Sequence, residues 1–171
     1  MDADLIPRTS AAGWRIGVHL QECYELLRGA TEVEVRPGFN LLDAIDRNAG
    51  VLVVRNTLPL RSGNTAVVVG ANIVWFNFNA RGELFDVCVR EGYRGRAFGR
   101  IGIGSTISEV RSLFPAYFDG GDELFYPDSE VAPHAPRGIG FYAGDDEPPD
   151  EAPIIAISVH DWGIMRRTPA G

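Results

Sequence analysis

Apolar positions in this chain recur with two different periods, and the switch between them organises the sequence. Over Arg15–Leu27 the apolar residues Ile16, Leu20, Cys23, Leu26 and Leu27 advance by four, three, three and one, which is one face of an amphipathic helix. Gly102–Phe114 lies over that segment without a gap: Ile103, Gly104, Glu109 and Leu113 match Ile16, Gly17, Glu22 and Leu26. Ile107, Val110 and Phe114 supply the other apolar positions of the second copy. Ser105 or Thr106 is a suitable N-cap there, and Glu109, three residues after Thr106, completes a capping box. The hydroxyls beside Gly104 therefore read as a helix start. They lack the G-x-S-x-G spacing of a nucleophile turn, and Gly102-Ile103-Gly104 lacks the third glycine of a dinucleotide loop.

After each helix the period drops to two. Val74–Phe78, a turn at Asn79–Gly82 and Leu84–Val89 form a predicted hairpin, and Ile139–Ala143, a longer acidic loop and Ile154–Val159 form another. The first half also carries an insert containing Thr31–Val35, a short helix at Leu41–Arg47 stopped by Gly50, and strands near Val51–Val54 and Thr65–Val69. The second half has only Leu124–Tyr126 in that place. The expected fold is α+β, two tandem repeats that each pack an amphipathic helix on an antiparallel sheet. The segments are a tail over 1–12, a first repeat with insert over 13–89, an Arg/Gly linker over 90–100, a second repeat over 101–162 and a tail over 163–171.

Composition narrows the chemistry. All 16 basic residues are Arg, so a P-loop, a Schiff-base enzyme or a kinase, each of which needs a Lys, has no counterpart here. Cys23 and Cys88 are isolated and read as buried free thiols. His19, His134 and His160 are too scattered for a metal site, and no cofactor is expected. His160 and Asp161 are neighbours on a predicted strand, so their side chains diverge and Asp161 does not orient the imidazole. The Met1–Gly13 segment has no basic and apolar leader and no apolar run approaches 18 residues, which leads us to expect a cytoplasmic protein.

The net charge of −7 opposes nucleic acid and anionic membranes as partners, and the Arg/aromatic stretch Arg90–Arg100 is too short to reverse that. The charge is local. Residues 119–151 hold ten acids and one base, Arg137, whereas the rest of the chain holds 13 acids and 15 Arg, a balance of +2. Within that stretch Asp119, Asp122, Glu123, Asp128, Asp145, Asp146, Glu147, Asp150 and Glu151, together with Tyr126 and Tyr142, form a candidate contact surface for a basic protein.

The duplicated Ile-Gly, helix and aromatic strand, closed by Ile154, Ile157 and Val159, resembles the tandem helix-plus-sheet layout of the beta-lactamase inhibitor protein family. It is also similar to small acidic bacterial immunity proteins. The resemblance implies a protein that is not an enzyme and neutralises a cognate toxin by stoichiometric binding. Two other classes stay open: a small hydrolase using His160 with carboxylates, and an assembly or scaffold module.

Overall fold

The computed structural model describes residues 2–56, 63–144 and 148–167. In chain order the strands are β1 (Ser10–Ala11), β2 (Trp14–Arg15), β3 (Thr31–Glu34), β4 (Val51–Arg55), β5 (Thr65–Val69), β6 (Val74–Phe78), β7 (Leu84–Arg90), β8 (Ala116–Asp119), β9 (Leu124–Pro127), β10 (Ile139–Tyr142) and β11 (Ala156–His160). The helices are α1 (Tyr24–Leu27), entered through a 3-10 turn at Leu20–Cys23, α2 (Leu41–Asp46), α3 (Ile107–Arg111) and α4 (Trp162–Met165). The protein is α+β, dominated by one nine-stranded sheet of order β3-β4-β5-β6-β7-β11-β10-β9-β8. Only β3–β4 is parallel. No described helix is long and apolar enough to cross a membrane.

The helical periodicity outruns the helices. The second amphipathic stretch is helical only over five residues, because Pro115 follows its last apolar positions and turns the chain into β8. Thr106 accepts from the Glu109 N–H, and the Glu109 carboxylate accepts from the Thr106 N–H, so the expected capping box forms. His19 and Glu22 make the same reciprocal pair in the first half. Each cap follows a glycine in the left-handed region, Gly17 at φ 89° and Gly104 at φ 86°. Gly17 N–H donates to Leu84 O while Leu84 N–H donates to Val18 O; Gly104 N–H donates to Ile154 O while Ile154 N–H donates to Ser105 O.

The two halves meet at β7 and β11, which pair antiparallel with Cys88 opposite Ser158. Val87 pairs with Val159 and Val89 with Ile157, an arrangement unchanged when the two strands are exchanged about the Cys88/Ser158 pair. The sheet is therefore continuous across both halves. The stretch Arg90–Arg100 is packed as well: Arg90 ends β7, Tyr93 and Ala97 are buried, and Leu5 N–H donates to Arg96 O. The first dozen residues are anchored by the buried side chains of Leu5 and Ala11.

One face of the sheet is closed. Phe76, Val87, Val89, Ile157, Phe141 and Phe125 pack there with Cys23, Ile107 and Val110 from the helical segments. Burying side chains of this size contributes roughly 1.5–3 kcal/mol each. On the opposite face Ile45 of α2 covers Leu52, Val54, Ala66 and Val68 at one end. Among the described residues it stays open between α2 and α4. A β-bulge shapes that opening: Asn77 pairs with Asp86 and Phe78 with Leu84, leaving Phe85 as the extra residue. Simple alternation puts Leu84 and Asp86 on the same face. The bulge instead sends Leu84 into the closed core and brings Phe85 beside Asp86 on the open face.

Candidate functional site

The open face is a cleft of about 800 Å³. Its floor is the period-two face of β6, β7 and β11, carrying Trp75, Asn77, Asp86, Cys88, Arg90 and Ser158. Phe85, Trp162, Leu124, Tyr142 and Ile155 form apolar walls, and Asp122 and Glu123 reach its lining from the β8–β9 turn. Clefts of this size and mixed lining are the ordinary form of ligand sites.

A chain of polar groups crosses the floor, from the half-buried Asn77 to the buried Asp86, Ser158 and His160. Asn77 Nδ2 donates to Asp86 Oδ2 at 2.7 Å, and Ser158 Oγ donates to Asp86 Oδ1 at 2.6 Å. His160 Nδ1 lies 2.8 Å from the same hydroxyl. Because Ser158 has one proton and gives it to Asp86, Nδ1 carries the hydrogen of that contact, which leaves Nε2 as an acceptor. The order Asp–Ser–His differs from a nucleophilic triad, in which the imidazole stands between acid and hydroxyl to take the serine proton. Burial drives the two ends in opposite directions: Asp86 is raised to about 6 and His160 lowered to about 4. Desolvation disfavours the charged form of each. It also pushes the half-buried Cys88 thiol up to about 12, with the neighbouring Asp86 adding to the effect.

Helix α4 fixes the wall. Asp161 Oδ1 accepts from Gly163 N–H, Asp161 N–H donates to Phe85 O, and Asn79 Nδ2 donates to Ile164 O. Trp162 is thereby stacked on His160, with ring centroids 4.2 Å apart and an 18° tilt. Asp161 Oδ2 turns away to Arg8 at 2.9 Å, so His160 and Asp161 diverge as their adjacency predicts.

Beyond Trp162 a smaller hollow of about 340 Å³ is lined by Tyr117, Asp119, Asp122, Tyr126, Arg137 and His160, among others. Tyr126 OH donates to Asp122 Oδ2 at 2.8 Å, and its ring meets His160 edge-on at 5.7 Å. Burial and the Asp122 carboxylate hold that hydroxyl well above the usual tyrosine range.

The acidic residues singled out from sequence do not share one surface. Asp122, Glu123 and Tyr142 line the cleft; Asp119, Asp122 and Tyr126 line the hollow. Asp119 accepts from Gly121 N–H, and Asp128 caps the turn at Glu130 and Val131. Asp150 pairs with Arg111 of α3 at 3.0 Å, against the helix whose apolar residues pack on the closed face, and Glu151 beside it is exposed. Asp145, Asp146 and Glu147 lie outside the described residues. Sequence reasoning missed Asn77, Asp86 and Ser158. The available signal was the polar residues of three mostly apolar strands, Asn77 in β6, Asp86 and Arg90 in β7, and Ser158 and His160 in β11, all in phase on one face once the strands pair. Among the described residues no group of three or more His, Cys, Asp or Glu is placed to hold a metal ion.

No protein-family model matches the chain, and no curated protein or solved structure matches it.

Proposed function

We propose that the protein is an immunity-type binder that neutralises a cognate bacterial toxin by stoichiometric contact, using the open sheet face as its contact surface. The observation that carries this reading is the cleft itself: aromatic walls stand over a polar floor, with Asp122 and Glu123 at the lining nearest the β8–β9 turn. Rings on rigid strands supply buried contact area at low entropic cost, and acidic groups around them accelerate encounter with a basic partner. The partner is a toxin with a basic surface, not a nucleic acid or a membrane. Of the other predicted contact residues, Tyr142 lines the same cleft, and Asp119 and Tyr126 line the hollow beyond Trp162.

The tandem repeat belongs to the same reading. Equivalent glycines, caps and paired hydrogen bonds at Gly17/Leu84 and Gly104/Ile154 support a duplicated unit. The exchange relation between β7 and β11 supports a single contact face built from both copies.

The test is binding to the purified product of the neighbouring open reading frame, by calorimetry over a range of salt. Reversal of Asp122 and Glu123 to Lys is expected to weaken binding at least tenfold and flatten its salt dependence. Glu151→Lys, beside α3, is expected to leave both unchanged. Equal effects at the two places, or none at either, would refute the proposed surface.

A further inference from the structure

We propose that the cleft binds an organic cation, an ammonium or guanidinium group carried on an apolar body, with Asp86 as its counter-charge. The inference deepens the reading above by naming the group that enters the cleft, and its test uses free probes, so either can fail alone.

Asp86 is 7% exposed and sits on the cleft floor. Both of its donors, Asn77 and Ser158, are neutral, and among the described residues it makes no ion pair. Arg90, four residues along the same strand, directs its side chain to the Cys88 thiol, and the hydrogen bonds on Asp86 come from Ser158 and Asn77. A buried carboxylate without a cation is costly, which is why burial holds the proton on Asp86 to about pH 6. A cationic guest removes that cost. Two hydrogen bonds occupy part of the carboxylate's acceptor capacity and leave positions for a guanidinium or ammonium.

The surroundings fit such a guest. Trp75, Phe85 and Trp162 offer aromatic surface to a cation and its apolar stem. A second unmet group lies on the same lining: Asn64 Nδ2 is buried and, among the described residues, has no hydrogen-bond partner. Asn64 precedes Ala66 by two positions, and Ala66 pairs with Asn77, the neighbour of Asp86, so an acceptor on the guest can reach it while the cation meets Asp86. A guest with a cation, an apolar stem and a carbonyl, as in an arginine residue, meets all three demands.

Among the described residues, the charged and titratable groups lining the cleft with Asp86 are Cys88 and Arg90 on its own strand, Tyr142 on β10, and Asp122 and Glu123 opposite, while His160 on β11 meets it through Ser158. From α4 come only Trp162 and Met165, and from β6 the neutral Asn77. His160 and Cys88 change charge on either side of the interval from pH 5 to 7.

The experiment is an NMR titration of the full chain with N-acetyl-arginine amide and with its neutral isostere, N-acetyl-citrulline amide, at pH 5 and 7. Saturable binding of the arginine probe is expected, at least tenfold weaker for citrulline. Its affinity should rise about tenfold from pH 5 to 7, the ratio of ionised Asp86 for a group titrating near 6. Asp86→Asn should abolish both the preference and the pH dependence. Equal binding of the two probes, a flat pH profile, or full binding by Asp86→Asn would overturn the proposal. Should the variant not fold, the two native-protein comparisons decide. Competition by the arginine probe against the toxin partner would assign the cation to a partner side chain, and absence of competition to a free small molecule.

Discussion

Asp86 and His160 share one serine hydroxyl, yet their proton affinities are displaced in opposite senses, and this has a measurable consequence for stability. Asp86, raised from 3.8 to about 6, binds its proton more tightly when folded, so its contribution to stability grows as pH falls from about 6 to 4. His160, lowered from 6.5 to about 4, resists its proton when folded, so its contribution is lost as pH falls over the same interval. Each displacement corresponds to about 3 kcal/mol, and in the native chain the two oppose one another. Relative to native protein, His160→Gln is therefore expected to gain stability between pH 6.5 and 4.5, and Asp86→Asn to lose it. Urea unfolding at the two pH values measures this, and parallel pH slopes for all three proteins would refute it. Ser158→Ala removes the hydrogen bond that lowers the Asp86 proton affinity. It should cost about 2 kcal/mol and raise the Asp86 titration midpoint further, read from its carboxyl carbon resonance.

The short helices depend on their first turns, since four or five residues cannot sustain a helix by propagation alone. Thr106→Ala is expected to lower stability by about 1 kcal/mol, and Thr106→Ser to leave it nearly unchanged, as judged by the urea midpoint. This cap was legible in the sequence because a hydroxyl residue three positions before a Glu has few other local uses. The hairpins β6–β7 and β10–β11 were legible because alternation and turn chemistry agree: Asn79 O accepts from Gly82 N–H and Gly82 holds φ 79°. The bulge at Phe85 was not, because Leu84 and Phe85 are both large and apolar and either suits the core face. Helix α4 was hidden for a related reason. Beside its Asp161 cap, it is held by Asn79 and the Phe85 carbonyl, residues distant in the chain.

One sheet runs through the whole molecule, so its two halves cannot lose structure independently without exposing the β7–β11 seam. Thermal unfolding is expected to be a single transition, with amides of β5 and β10 exchanging at the same free energy. Ile157→Ala, at the seam, should lower that shared value by 2–5 kcal/mol. Two separated transitions would contradict a continuous core. At this scale the charge reading needed the fold. Acids close together in sequence are divided by the fold: the end of β8 and the β8–β9 turn carry Asp119, Asp122 and Glu123 to the cleft and hollow, and Asp150 lies beside α3. Sequence proximity gave the excess but not its division. The exchange relation about Cys88 and Ser158 carries one more consequence. The backbone of the floor reads the same from either end, but Asp86 faces His160 at one end and Arg90 faces Ala156 at the other. The pairing is symmetric and its side chains are not, so the guest proposed above would meet a floor polarised from the Asp86 end to the Arg90 end.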